Sequence, residues 1–178
     1  MVSADKQLPP TDQMLGRLAE QVAQAAHQGG WRIAVAESCT GGWLARCFTD
    51  LPGSSEWFEG GWVVYSNALK QSCLGVCEQD LYRHGAVSQA VVETLAHSAR
   101  RQAKVDLAVA ISGVAGPGGG SADKPVGTVW FSWTGPGQDD LQSRCLQLPG
   151  DRDAIRRASV AEAMTGLLRI MQRPGTDD

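Results

Sequence analysis

The sequence lacks the features of membrane-spanning, secreted and nucleic-acid-binding proteins. It contains no run of about 18 apolar residues, so we expect no transmembrane helix. The N-terminal stretch MVSADKQLPP is polar and has no apolar segment of signal-peptide length. The net charge is −3, whereas polyanion binding usually requires a basic face. We therefore expect a cytoplasmic protein that binds neither membranes nor nucleic acid.

Cross-linked frameworks are also missing. No CxxC pair occurs and the cysteines are odd in number, which indicates reduced thiols in a cytosolic protein instead of disulfides or a zinc site. A chain of 178 residues does not need such cross-links, because it can bury a sufficient hydrophobic core. We expect a single domain over residues 1–178, with an ordered core of about residues 12–172 and with no metal or cofactor.

The apolar pattern alternates between helices and strands. We expect strands at Arg32–Ala36, Trp62–Tyr65, Asp106–Ile111, Thr128–Trp133 and Leu141–Leu148. We expect helices at Asp12–His27, Thr40–Asp50, Asn67–Gly75 and Glu78–Arg83, and two more that begin at Ser88 and Asp151. This interleaved order predicts an α/β fold, a three-layer α/β/α sandwich with a mixed, mostly parallel sheet.

Helical spacing also predicts which side chains face the core. In the first helix these are Met14, Leu18, Val22, Ala25 and Ala26, and in the second they are Trp43, Leu44, Cys47 and Phe48. The histidines, His27, His84 and His97, are expected at solvated helix ends or faces. None of them is therefore the preferred candidate for a general base.

Candidate reactive groups collect at the first strand-to-helix junction, AESCTGG. Ser38 and Cys39 are adjacent nucleophile candidates, and Thr40, Gly41 and Gly42 follow them. The unpaired N–H groups at a helix start favour an anion or a developing oxyanion. The alternative is simple capping, in which a hydroxyl of Ser38 or Thr40 accepts a hydrogen bond from a helix amide. The junction alone leaves both interpretations open.

A base for such a nucleophile is sought among the lysines, since the sequence has neither a GxSxG elbow nor an SxxK motif. Lys70 is the lysine in a well-structured setting, within YSNALK, where Tyr65 lies at a strand end. A partly buried lysine can be neutral near neutral pH, and a tyrosine hydroxyl can relay its proton or hold the amine. The alternative is a surface lysine beside a half-buried tyrosine.

Two later segments are candidates for binding an anion. The glycine-rich stretch SGVAGPGGGSADKPVG, residues 112–127, follows a central strand and offers backbone N–H groups, although it fits neither the P-loop nor the dinucleotide fingerprint. In GDRDAIRR, Arg152 begins a helix, where a cation opposes the helix dipole unless it faces an anion. A loop without a ligand and a solvated charge remain the alternatives.

The order of these segments is more specific than any one of them. AESCTGG, GSSEWFEGGWVVYSNALK, HGAVS, ISGVAGPGGGS with KPVGTVW, and GDRDAIRR follow one another over roughly residues 15–168. In this order the sequence resembles the CinA C-terminal domain family. Within that family it is most similar to the stand-alone nicotinamide-nucleotide amidohydrolases of the PncC type.

The resemblance implies deamidation of nicotinamide mononucleotide to nicotinic acid mononucleotide and ammonia, in the recycling of pyridine nucleotides, without a metal. It implies a catalytic Ser–Lys–Tyr set that matches Ser38, Lys70 and Tyr65 here. The implied substrate contacts match Thr40, Gly41, Gly42, Ser112, Gly116 and Arg152, the last of them for the phosphate. One departure is Ala68-Leu69, where relatives often read YSNEAK, so any role of that glutamate is lost.

Three alternatives stay open. Cys39 is a rival nucleophile, because thiolates at helix starts have a depressed pKa. Ser66 is another, because it lies four residues before Lys70 and can share its helix face. The domain can also be a non-catalytic nucleotide-binding or regulatory member of the family. The expected partner is a small-molecule nucleotide, with a possible homodimer or higher homo-oligomer.

Overall fold

A five-stranded sheet carries the fold in the computed structural model, which describes residues 8–137 and 141–172. The strands are β1 Ile33–Glu37, β2 Phe58–Val63, β3 Leu107–Gly113, β4 Thr128–Thr134 and β5 Gln142–Gln147. The helices are α1 Asp12–Gly29, α2 Trp43–Thr49, α3 Asn67–Leu74, α4 Glu78–His84, α5 Gln89–Ala103 and α6 Arg152–Met171, with a 3-10 turn at Ser54–Glu56. The ends of the predicted domain, residues 1–7 and 173–178, lie outside the described residues.

The strand order is β2-β1-β3-β4-β5. Strand β1 pairs parallel with both β2 and β3, while β4 pairs antiparallel with β3 and with β5. Only β4 therefore runs against the other strands of this sheet, which confirms the mixed, mostly parallel sheet. The carboxyl ends of β2, β1 and β3 meet at one edge, where open α/β sheets commonly bind ligands.

Helices cover both faces of the sheet, as the sandwich prediction requires. Alternate residues of a strand face opposite sides, so the larger Leu107, Val109 and Ile111 of β3 pack with α1, α2 and α6. The intervening Ala108 and Ala110 pack against α5 on the other face. The small alanine side chains let α5 lie close to the centre of the sheet.

The predicted core face of α1 is confirmed at Val22 and Ala26, while Leu18 and Ala25 are only partly buried and Met14 is exposed. The buried residues are Leu15, Ala19, Val22 and Ala26. Met14 is 52% exposed, because the helix begins at Asp12 and Met14 lies in its outward-facing first turn, where its N–H donates to the Thr11 hydroxyl. Trp43 of α2 is likewise only half-buried.

Strand β2 differs most from the prediction, since it begins at Phe58 and ends at Val63. The sequence Gly60-Gly61 interrupts the apolar pattern that would have revealed its first half. Gly61 is required by packing, because a Cβ there would lie 2.3 Å from the Val35 side chain of the neighbouring strand. After Val63 the chain keeps one bond to β1, from the Val64 N–H to the Glu37 carbonyl at 2.8 Å, and then leads through Tyr65 into α3.

Candidate active site

Ser38 and Lys70 meet at the carboxyl edge of the sheet. Ser38 follows β1, and Lys70 lies in the second turn of α3, which begins after the chain leaves the adjacent β2. The Lys70 amine donates to Ser38 Oγ at 3.1 Å. It also donates to the carbonyl oxygens of Val64 at 2.7 Å and Tyr65 at 3.1 Å. The predicted nucleophile and base are thus in direct contact.

Lys70 is 1% exposed, and this burial affects the pKa of its amine. Burial lowers the pKa of its amine below the usual 10.5, because a low-dielectric surrounding disfavours the charged form. Within residues 8–137 and 141–172 the amine makes no ion pair that would offset this effect. Burial therefore shifts the protonation equilibrium of the amine toward its neutral form, which is the state that can accept a proton.

Tyr65 contacts Lys70 through its backbone. Its side chain is 62% exposed, and its hydroxyl makes no hydrogen bond to any described residue. Its carbonyl oxygen is the group that holds the amine. Tyr65 thus lies beside Lys70 as predicted. The contact is made by its backbone carbonyl, however, and not by the phenol that was expected to act on the amine.

Glu37 is a site residue that sequence reasoning missed. Its carboxylate is fully buried and accepts from the N–H groups of Gly42 at 3.0 Å, Leu44 at 3.1 Å and Ala45 at 2.8 Å. These amides start α2, whose N-cap is Gly42 and has no side chain to cap it. An acidic residue that ends an apolar strand just before a glycine pair was the available signal, since a buried carboxylate requires nearby donors.

The turn after Ser38 corrects the expected set of free amides. Gly41 and Gly42 have φ values of 63° and 91°, in the region that favours glycine. The Gly41 N–H donates to the Ser38 carbonyl at 3.1 Å, and the Gly42 N–H donates to Glu37. Both are therefore occupied, and neither is free to bind an oxyanion. The N–H groups of Cys39 and Thr40 donate to no other described residue, and both residues are buried.

The three hydroxyl and thiol alternatives differ sharply in environment. Burial raises the pKa of the Cys39 thiol to about 11, which opposes the thiolate that a cysteine nucleophile needs. Thr40 is fully buried and its Oγ1 has no hydrogen-bond partner among the described residues, so it does not act as the expected cap. The exposed Ser66 accepts from the Leu69 N–H at 3.1 Å, which caps α3. Among the side chains of Ser38, Cys39, Thr40 and Ser66, only the Ser38 hydroxyl hydrogen-bonds to the Lys70 amine.

Arg156 of α6 lies on the other side of this turn and was also missed. Its Nε donates to the Cys39 carbonyl at 3.1 Å and its Nη2 to the Thr40 carbonyl at 2.8 Å. The guanidinium stacks over Trp43, 4.9 Å from the ring centroid. Backbone carbonyls leave no trace in residue type, so no sequence motif indicates this contact.

A contact between Arg152 and Gly116 joins the glycine-rich segment to the start of α6. Arg152 Nη1 donates to the Gly116 carbonyl at 2.7 Å, and a cis peptide bond follows to Pro117. Ser112 is 1% exposed and donates inward to the Ala86 carbonyl at 2.8 Å. Of the six predicted substrate contacts, Arg152 and Gly116 thus contact each other, whereas the Ser112 hydroxyl connects β3 to the HGAVS segment.

Comparison with known proteins identifies the family of the chain. A family model described as the CinA C-terminal domain matches residues 15–171. The chain belongs to this family. It is 51% identical over 158 residues to the nicotinamide-nucleotide amidohydrolase PncC of Escherichia coli strain K12, with 88% of this chain and 94% of that protein covered. The protein of the same name from Pseudomonas putida is 48% identical over 153 residues, with 86% and 94% covered.

The solved structures agree with this relation. The competence/damage inducible protein CihA of Agrobacterium tumefaciens has a TM-score of 0.86 at 36% identity, covering 93% of this chain and 99% of that chain. The family match confirms the resemblance drawn from motif order. The observed sheet and the solved relatives confirm the α/β fold expected from the alternation of helices and strands. The two curated relatives are enzymes by name.

The remaining expectations concern the histidines, a metal site and a transmembrane helix. The three histidines are exposed, as predicted, and none contacts Ser38. A search of residues 8–137 and 141–172 finds no cluster of three His, Cys, Asp or Glu side chains arranged to hold a metal. Over the same residues, no helix combines the length and apolar character needed to cross a bilayer.

Proposed function

We propose that this domain is an amidohydrolase that deamidates nicotinamide mononucleotide to nicotinic acid mononucleotide and ammonia, with Ser38 as nucleophile and Lys70 as general base. The observation that carries the proposal is the contact of 3.1 Å between Lys70 Nζ and Ser38 Oγ, made by a lysine that is 1% exposed. The proposed substrate is taken from the names of the relatives. The contact between Ser38 and Lys70 supports nucleophilic attack by a serine hydroxyl on the amide carbon.

The three partners of the Lys70 amine suit both of its protonation states. A neutral amine has two N–H groups, which the carbonyls of Val64 and Tyr65 can accept, and one lone pair, which can accept the Ser38 proton. A protonated amine has three N–H groups for the same three oxygens. Proton transfer therefore reverses one hydrogen bond and leaves the other two in place, so it requires little rearrangement.

In the proposed acylation step, Lys70 removes the proton from Ser38 and Oγ bonds to the carboxamide carbon, whose carbonyl π electrons move to oxygen. The N–H groups of Cys39 and Thr40 are the donors for that oxyanion, and such donors are worth roughly 3–4 kcal/mol each. When the C–N bond breaks, the Lys70 ammonium returns the proton to the leaving nitrogen and ammonia departs.

In the proposed deacylation step, neutral Lys70 removes a proton from water, which attacks the ester carbon. The ester C–O bond breaks, Ser38 recovers its proton from Lys70, and nicotinic acid mononucleotide leaves. Tyr65 assists by holding the amine through its carbonyl. Arg152, oriented by the Gly116 carbonyl, is the proposed phosphate contact, which converts remote binding energy into orientation of the carboxamide.

The proposed place of action is the cytoplasm, within pyridine nucleotide recycling. All five cysteines are free in the structure, which supports a reducing compartment. The proposed partner is a small-molecule nucleotide, the substrate. The predicted homodimer or higher homo-oligomer stays a prediction.

An ammonia-release assay with nicotinamide mononucleotide tests the proposal. We expect turnover by the wild type and its loss in both Ser38→Ala and Lys70→Met. Ser66→Ala is the matched control, because it removes a hydroxyl from the start of the same helix as Lys70 without touching the amine. Nucleotide binding without ammonia release by the wild type would instead establish the non-catalytic alternative.

A further inference from the structure

We propose that Arg156 is a positioning residue of the reaction, which orients and polarises the Cys39–Thr40 peptide so that the Thr40 N–H receives the charge that develops on the carboxamide oxygen. This inference rests on the proposed function, with Ser38 as the nucleophile. It gives a task to a charged side chain that contacts the nucleophile turn and that the mechanism above does not use.

The argument begins with the direction of the peptide groups. In a planar trans peptide the C=O and the next N–H point in opposite directions. Because Arg156 Nε holds the Cys39 carbonyl at 3.1 Å, the N–H of Thr40 is directed away from the guanidinium. That N–H has no acceptor among the described residues. Arg156 therefore fixes the orientation of a buried amide that donates to no other described residue.

The adjacent peptide shows the contrasting case. Arg156 Nη2 holds the Thr40 carbonyl at 2.8 Å, and the Gly41 N–H of the same peptide donates to the Ser38 carbonyl at 3.1 Å. One guanidinium thus fixes two consecutive peptides. The second peptide closes the turn around Ser38, and the first leaves the Thr40 N–H without a bond to any other described residue. Arginine suits this task because its planar fork holds two acceptors at once, which a lysine cannot do.

The charge of Arg156 also acts on the turn. The guanidinium donates to the carbonyl oxygens of both Cys39 and Thr40, so its positive charge lies directly against these two peptides. A cation on a peptide oxygen draws electron density from that peptide and strengthens its N–H as a donor. The developing oxyanion would therefore meet a stronger donor than an ordinary amide.

Arg157 provides a matched control on the same helix. Its guanidinium also stacks over Trp43, at the same 4.9 Å from the ring centroid as that of Arg156. Its hydrogen bonds, however, go to the side chains of Asp153 and Asp12 and not to the nucleophile turn. Replacing Arg157 tests the packing around Trp43, whereas replacing Arg156 tests that packing together with the peptide contact.

The first measurement is steady-state deamidation by Arg156→Met, Arg156→Lys and Arg157→Met in the full chain. We expect kcat of Arg156→Met to fall about 10- to 100-fold, somewhat less than the loss of a whole oxyanion donor, with KM within about two-fold of the wild type. Arg156→Lys should lie in between, because it keeps the charge but not the fork. Arg157→Met should keep its kcat within about two-fold.

The second measurement separates transition-state from ground-state binding. The probe is the mononucleotide in which an aldehyde replaces the carboxamide, because Ser38 can add to it and place an oxyanion in the site. We expect Arg156→Met to weaken this probe by the same factor as kcat. Binding of the carboxamide substrate to Ser38→Ala should be unchanged when Arg156→Met is added.

The outcomes distinguish this inference from the proposed function. Full activity in Ser38→Ala would remove the proposed function itself. An inactive Ser38→Ala together with an Arg156→Met of wild-type kcat would overturn the inference alone. An equal loss in Arg157→Met, or a rise in KM with kcat unchanged, would also overturn it, since these results indicate packing or a substrate contact. If Arg156→Met does not fold, Arg156→Lys decides the question by the same criteria.

Discussion

Glu37→Gln is the substitution for which the structure gives the most definite expectation. The carboxylate is fully buried and serves three backbone donors, with Oε2 accepting from Gly42 and Leu44 and Oε1 accepting from Ala45. Glutamine has nearly the same shape but only one acceptor oxygen. Its amide nitrogen must therefore face at least one backbone N–H, donor against donor.

The size of the effect follows from this geometry. The best placement puts the glutamine oxygen where Oε2 was, which keeps two bonds and leaves the Ala45 N–H without an acceptor. A buried donor left unsatisfied costs about 1–3 kcal/mol, and the two remaining bonds lose the strength that a charged acceptor gives. We expect Glu37→Gln to lower the free energy of unfolding by about 2–4 kcal/mol.

Urea unfolding at neutral pH measures this change. Glu59→Gln is the control, because Glu59 is a surface partner of Arg32 on the neighbouring strand, and exposed ion pairs contribute about 0–1 kcal/mol. A Glu37→Gln variant within about 0.5 kcal/mol of the wild type would refute the reasoning, since it would mean that the three amides do not depend on the carboxylate.

Three further predictions concern the reactive groups. Because burial lowers the pKa of Lys70 below 10.5, kcat/KM should rise with pH through that lowered pKa. In the same window the unfolded chain binds more protons, so wild-type stability should rise with pH relative to Lys70→Met, and a fall would contradict the sign. Cys39→Ala should keep its activity, and iodoacetamide should modify Cys39 slowly at neutral pH, since its pKa is about 11; rapid inactivation by labelling of Cys39 would restore it as nucleophile. Tyr65→Phe should keep most of kcat, because the carbonyl that holds Lys70 remains; a loss as large as that of Lys70→Met would show that the phenol acts directly.

Much of the fold could be predicted from the sequence, because buried apolar residues recur with the period of the helix or strand that carries them. The buried strand β3 was expected at Asp106–Ile111 and lies at Leu107–Gly113. Strand β2 was half missed because Gly60-Gly61, needed for close packing against β1, carry no apolar side chain. The core face of α1 was predicted correctly at Val22 and Ala26 but not at Met14, because propensity and spacing do not show which side of a helix another helix will cover.

The site also contains residues that the sequence predicted and residues that it did not. Ser38 and Lys70 were found because motif order points to them, and their contact is made by side chains of distinctive types. Arg156 acts on backbone carbonyls across 117 positions of sequence, and such a contact leaves no signature in either segment. Glu37 also acts on backbone groups, but its partners lie within eight positions, so a search for donors to a buried acid would have found it.

Rapid-quench mass spectrometry of the enzyme mixed with nicotinamide mononucleotide tests the central claim most directly. The proposed mechanism predicts a transient adduct of the substrate's acyl group on the peptide that contains Ser38, formed as ammonia is released and absent in Ser38→Ala. Ammonia release by the wild type with no adduct at any time, or with the adduct on Cys39, would contradict it.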